Sequence, residues 1–263
     1  MWFSKIACFF TLLAVSKAAN IPVGDNSTYP DEEVEGKIVG GTQTTINDYP
    51  YALSLQYLLS HICGGAVITP KYFLSAAHCF ADFQAFLYTV RYGSSSHSSG
   101  GLVALVGDAY THPDYNPDTI DYDIGVGCII GSFKLSFITK PIALYQPDPV
   151  VGTLADVVGW GTEQEDATTI PDILRKAQVP IITNEKCQNQ YGVNAITPRM
   201  ICAGYQQGGI DSCAGDSGGP LVVEGQLTGL VSWGNGCARE GFAGVYSRVN
   251  TMQPWIVSVT GPL

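Results

Sequence analysis

The string Gly215-Asp216-Ser217-Gly218-Gly219-Pro220 carries the strongest chemical signal in this chain. At ordinary residue frequencies it would arise by chance on the order of once in 10^5 chains of this length. A serine between glycines keeps its hydroxyl exposed, and the glycines let backbone N–H groups turn toward one point. A serine hydroxyl alone is a weak nucleophile, so a base and an orienting carboxylate must come from elsewhere in the chain. Two other strings offer them: Ala76-Ala77-His78-Cys79, and Asp121-Tyr122-Asp123 followed by Ile124. The remaining histidines, His61, His97 and His112, stand in no such context and read as structural.

The elements that must position these groups read as strands. Short apolar runs recur between turn residues at 52–58, 65–68, 87–92, 102–106, 124–130, 156–158, 177–182, 221–223, 227–233 and 244–249. Runs of this length, several of them β-branched, predict an all-β sandwich or pair of barrels. Only 251–259 has a helical pattern, and Gln146-Pro147-Asp148-Pro149 is the expected boundary between the halves 38–146 and 147–263. The composition agrees with this. The 263 residues are 46 % hydrophobic, enough for a real core, and only 14 % charged, with 30 Gly and 15 Pro. The 23 acidic residues outnumber the 13 basic ones, for a net charge of −10, which argues against a nucleic-acid partner.

The N-terminus reads as processing sequence. Lys5, an apolar run over 6–15 and Ser16-Lys17-Ala18 form an expected secretory signal over 1–18. The run is shorter than the roughly 20 residues a bilayer needs, so no membrane partner is expected, and export permits disulfides. Residues 19–37 are acidic and proline-bearing, and hold the only glycosylation sequon, at Asn26. The segment ends at Lys37, directly before Ile38-Val39-Gly40-Gly41, which makes Lys37 an expected cutting site. Removing 1–37 takes away 3 Lys and 5 acids and leaves 226 residues at a net charge of −8.

These strings resemble those of the trypsin-like (chymotrypsin-family) serine proteases, from Ile38-Val39-Gly40-Gly41 to Trp255, in the family's order of His, Asp and Ser. The resemblance implies two six-stranded antiparallel β-barrels with the active site between them and a short C-terminal helix. It implies His78 as general base, Asp123 as the holder of its tautomer and Ser217 as nucleophile, with the N–H groups of Gly215 and Ser217 as oxyanion hole. Asp121 is the rival carboxylate, two residues away on the same face of an extended strand. The resemblance favours Asp123, directly before Ile124-Gly125-Val126, where Gly125 replaces the family's usual Ala.

The same resemblance implies a zymogen: cleavage after Lys37 frees the amine of Ile38, which pairs with Asp216. It places Asp211, six positions before Ser217, at the base of a pocket walled by Ser232, Gly234 and Gly244, which implies cleavage after Lys or Arg. It pairs Cys63 with Cys79, Cys187 with Cys202 and Cys213 with Cys237, leaving Cys128 as a free thiol. No cofactor or metal is implied. The loop that binds calcium in many members is here 93–101, without a carboxylate, and 114–118 lacks the Gly and Glu of an EF-hand. The expected partners are protein or peptide substrates and protein protease inhibitors, met by a secreted monomer. Two other readings compete. A catalytically inert relative usually lacks His, Asp or Ser, and all three are present. A Gly-x-Ser-x-Gly lipase needs a helix after the serine, whereas Pro220 leads here into strand-like Leu221-Val222-Val223, and no His follows Ser217.

Overall fold

The computed structural model describes residues 38–80 and 84–263. The expected signal 1–18 and propeptide 19–37, with Lys37 and Asn26, lie outside them. Most of the apolar runs form strands, and several of these, such as Gly125–Ile129 and Pro220–Val223, are buried along their whole length. The first barrel is built from β2 (Ala52–Tyr57), β3 (Ser60–Val67), β4 (Tyr72–Ser75), β5 (Tyr88–Tyr92), β6 (Leu102–Thr111) and β7 (Gly125–Ile129). These close in the order β2-β3-β4-β7-β6-β5. Leu53, Leu55, Val67, Phe73, Val90 and Val106 fill the interior.

The second barrel comprises β8 (Leu154–Gly159), β9 (Arg175–Ile182), β10 (Met200–Ala203), β11 (Pro220–Val223), β12 (Gln226–Trp233) and β13 (Gly244–Arg248). It runs β9-β10-β13-β12-β11-β8 and closes through the β8–β9 pair. The short β1 (Thr42–Gln43) pairs with β9, so the start of the described chain reaches across to the second sheet. Val157, Val179, Ile181, Leu221 and Tyr246 fill this barrel. The seam between the barrels buries Tyr51, Leu74, Ile124, Val126, Trp160 and Leu230. The C-terminal helix α2 (Val249–Thr260) adds Val249, Met252 and Ile256 to that cluster, spaced for one helical face.

The expectation of a single helix is corrected by α1 (Asn184–Tyr191). Its sequence NEKCQNQY buries only Cys187 and so carries no apolar stripe. Local chemistry makes the helix instead. Thr183 caps its start by accepting from Lys186 N at 3.0 Å, Gly192 ends it, and a Cys187–Cys202 disulfide pins it to β10. No helix among the described residues is long and apolar enough to cross a membrane.

Candidate active site

His78 lies in a 3-10 turn, Ala77–Phe80, that follows β4 directly, and the Cys63–Cys79 disulfide ties this turn to β3. Asp123 stands just before β7, and β4 pairs with β7 so that Ser75 faces Gly125. Strand register therefore brings the histidine and the carboxylate together. Asp123 is 1 % exposed, accepts from the His78 backbone N at 2.9 Å, and sits 2.8 Å from His78 Nδ1. A carboxylate only accepts, so Nδ1 carries the proton and the lone pair of the neutral ring lies on Nε2. The second barrel grips the same residue: Ser232 Oγ in β12 donates to its carboxylate at 2.6 Å, and Ser247 Oγ in β13 donates to its carbonyl. A Cβ at Gly125 would lie 2.7 Å from the Phe80 ring, which fills the space an alanine would take. Asp121 is engaged elsewhere, accepting from Thr197 Oγ1 at 2.7 Å and from the Arg199 guanidinium. Burial works against its charge, yet these bonds hold its carboxyl below the usual range.

Ser217 sits in the turn before β11, and its carbonyl accepts from Gly64 N in β3 at 2.8 Å. The strand that anchors the His78 turn through Cys63 thus also holds the peptide of Ser217. Ser217, Asp211, Ser232, Gly234 and Gly244 line one cavity of about 150 Å³. Asp211 is 5 % exposed and accepts from Ser212 N at 2.8 Å and Ala238 N at 3.2 Å. Burial pushes its carboxyl up to about 7, against the pull of those two N–H groups. A Cβ at Gly244 would sit 2.7 Å from Asp211 Oδ1, so a larger residue there would cover the carboxylate. At Gly234 the nearest atom to such a Cβ is 3.4 Å away, so glycine there serves the opening rather than the frame. A disulfide joins Cys213 to Cys237 across this cavity.

Asp216 is fully buried, accepting from Gly161 N at 2.7 Å and Cys213 N at 2.9 Å. Burial pushes its carboxyl up to about 6, and it has no cationic partner among the described residues. Ile38 is also fully buried, and the next carbonyl, of Val39, accepts from Asp211 N at 3.1 Å. Among the described residues, the cluster that could hold a metal is Cys63, His78 and Cys79. Its two sulfurs are bonded to each other, so it has no thiolate to offer. Cys128 is a free thiol buried in β7.

Sequence reasoning missed His61. Its Nε2 lies 2.9 Å from the Gly215 carbonyl and its Nδ1 lies 2.8 Å from Ser54 Oγ. The carbonyl only accepts, so Nε2 carries the proton and Nδ1 accepts from Ser54. Burial pushes this ring down to about 4, which keeps it neutral, and Trp160 and His97 lie against it. His61 therefore fixes the peptide that follows Gly215. No local motif marks this role, because its partner lies 154 positions away.

A trypsin family model matches residues 38–256. Trypsin beta of Drosophila erecta is 41 % identical over 256 residues, 97 % of this chain and 98 % of its own length. Trypsin 5G1 of Aedes aegypti is 40 % identical over 230 residues, 86 % of each chain. A vitellin-degrading protease of Bombyx mori is 36 % identical over 256 residues, 96 % of this chain and 93 % of its own length. With a histidine held by a buried aspartate and a glycine-flanked serine beside an acid-based cavity, the chain belongs to the trypsin family and is a trypsin-like serine endopeptidase.

Proposed function

We propose that the chain is an exported zymogen whose mature form, beginning at Ile38, cuts peptide bonds after Lys or Arg. The observation that carries this reading is Asp211, a buried carboxylate at a cavity that opens beside Ser217. A carboxylate short of positive charge at the end of a narrow slot favours a long cationic side chain, and the bare walls at Gly234 and Gly244 leave it room.

In the proposed reaction, Ser217 Oγ attacks the scissile carbonyl while His78 Nε2 takes its proton. The Nδ1–H of His78, held by Asp123, fixes the ring and stabilises the imidazolium. The N–H groups of Gly215 and Ser217 bind the oxyanion, and His78 hands its proton to the leaving amine. Water then hydrolyses the acyl-Ser217 ester by the same relay. Before this, cleavage after Lys37 frees the Ile38 amine to neutralise Asp216, whose environment already disfavours an unpaired charge. The signal 1–18 exports the chain, the segment 19–37 keeps it latent, and 38–146 and 147–263 form the two halves of the enzyme. Its partners are polypeptides with Lys or Arg before the cut and protein inhibitors that present such a residue to a monomer.

The test compares Arg, Lys and Leu ester substrates in the activated protein and in Asp211→Ser. Loss of a buried charge partner should lower kcat/KM for Arg and Lys by roughly 10^2- to 10^4-fold and leave Leu unchanged. An unaltered preference for Arg and Lys in the variant overturns the pocket assignment. The zymogen reading is tested with Lys37→Gln, which should stay inactive under activating conditions; full activity without cleavage would refute it.

A further inference from the structure

One ion pair rests against the pocket wall and takes no part in the chemistry above. Glu165, between β8 and β9, meets Arg239, between β12 and β13, 74 positions later in the chain. The contact is two-pronged: Arg239 Nε donates to Oε2 at 2.9 Å, and Nη2 donates to Oε1. The same carboxylate accepts from the backbone N–H of Cys237, and Arg239 Nη1 reaches Asn235 Oδ1 at 3.3 Å. Between these partners lies Gly236, at φ +71°, where a Cβ would meet Arg239 Nε at 2.3 Å and Glu165 Oε1 at 2.4 Å. The pair thus lies directly on the backbone of the strip 235–239.

That strip governs the pocket in three ways. Gly236 and Cys237 line the cavity. Cys237 carries the disulfide to Cys213, two residues from Asp211. Ala238 supplies one of the two backbone N–H groups that hold the Asp211 carboxylate. An exposed ion pair ordinarily adds little to global stability. The planar fork of an arginine on a carboxylate is the geometry that departs from this rule, because it fixes orientation as well as distance. Here what it orients is a strip on which a bound cation would lean.

We propose that Glu165 and Arg239 are positioning residues for the primary pocket, latching the segment 163–166 onto the strip 235–239 so that the slot and the Ala238 N–H keep their place around Asp211. The inference rests on the reading of that cavity as the Lys/Arg pocket. Neither residue contacts His78, Asp123 or Ser217, so the latch acts on substrate binding and leaves the chemical step alone.

The test measures kcat and KM separately for an arginine anilide in the activated protein. It uses wild type, Glu165→Gln, Arg239→Gln, the double variant, and the swap Glu165→Arg with Arg239→Glu. Inhibition by benzamidine, a flat aromatic cation, is measured alongside. Each single variant should raise KM and the benzamidine inhibition constant about fivefold to tenfold, with kcat within twofold. The double variant should match a single one, because the two side chains act as one unit. The swap keeps both charges and should recover most of the loss, which also carries the test if a single variant misfolds. At 1 M salt the wild-type KM should rise toward the variants, whose own KM should barely move. Singles equal to wild type, additive singles, or a fall in kcat at constant KM would each overturn the latch. A wild type that cleaves no Lys or Arg substrate overturns the pocket reading and the latch with it; a wild type that cleaves them while Glu165→Gln matches it overturns the latch alone.

Discussion

Both barrels bury carboxylates beside the cleft, but they satisfy them differently. Asp123, just ahead of a strand of the first barrel, receives the His78 backbone N–H, the His78 ring N–H and the Ser232 hydroxyl. Asp211 and Asp216, in the second half, are held chiefly by two backbone N–H groups each, and burial pushes them up to about 7 and about 6. The first half presents a finished group whose donors fix an imidazole. The second presents two groups that still lack positive charge. In the function proposed above, equal burial serves opposite ends: saturation gives a rigid positioning device, and incompleteness gives a receptor for a cation.

The largest expected effect breaks the saturated side. Asp123→Asn can donate where the native group only accepts, so the His78 ring adopts the wrong tautomer, and kcat should fall by about 10^4 while KM changes little. Steady-state kinetics at neutral pH checks this. A rise in KM at unchanged kcat would instead place Asp123 on the receptor side of the comparison.

The next effect probes the incomplete side through pH. A neutral Asp211 cannot pair with a cation, so KM for an arginine substrate should fall as pH rises through about 7. Stability should move the opposite way. Asp211 and Asp216 are raised above their unfolded value of 3.8, so between about pH 4 and pH 7 the folded chain holds protons that the unfolded chain has released. The ligand-free protein therefore loses stability as pH climbs through that window, and the loss levels off above it. Benzamidine should raise Tm more at pH 8 than at pH 5, and Asp211→Asn should flatten the curve. For Asp216, the proposed partner is an α-amine that titrates near ~8. Activity of the cleaved protein should then decline above pH 8, whereas an alkaline limb unaffected by acetylating that amine would separate Asp216 from the switch.

Much of the fold was legible because a short apolar run between turn residues is a local signal, as in 52–57 and 227–233. Strands β4 and β10 fall outside the apolar runs read from the sequence, and α1 owes its existence to a cap and a disulfide rather than to an apolar face. At the site, the string around Ser217 stood out as a local motif, and the string around His78 through its resemblance to the trypsin-like proteases. Spacing alone puts Asp121 and Asp123 on one face; the resemblance favours Asp123, and the β4–β7 register and the Arg199 contact give the physical reason. The loop 93–101 looked bare of carboxylates, yet Ser96 Oγ and Ser98 N donate to Asp172, more than 70 positions away. Such pairings belong to the tertiary fold, and no window of sequence contains them.

The smallest expected effect sharpens the comparison, because His61 in β3 of the first barrel is a further titratable group and is satisfied at both ring nitrogens. Its folded value, about 4, lies below the unfolded 6.5, so between these values the unfolded chain binds the extra proton and stability rises with pH. That slope opposes the decline from Asp211 and Asp216 in the same window. His61→Gln keeps a donor for the Gly215 carbonyl and removes the titration. Its Tm should then fall more steeply with pH between 4 and 6.5 than that of the wild type. His61→Ala also leaves the Gly215 carbonyl and Ser54 hydroxyl without their partner, which costs about 1–3 kcal/mol and should lower kcat severalfold, while the glutamine variant stays near wild type. Thermal melts across pH, paired with kcat for the two variants, separate the roles: equal pH slopes in wild type and His61→Gln would remove His61 from the balance, and equal kcat in both variants would remove it from the support of Gly215.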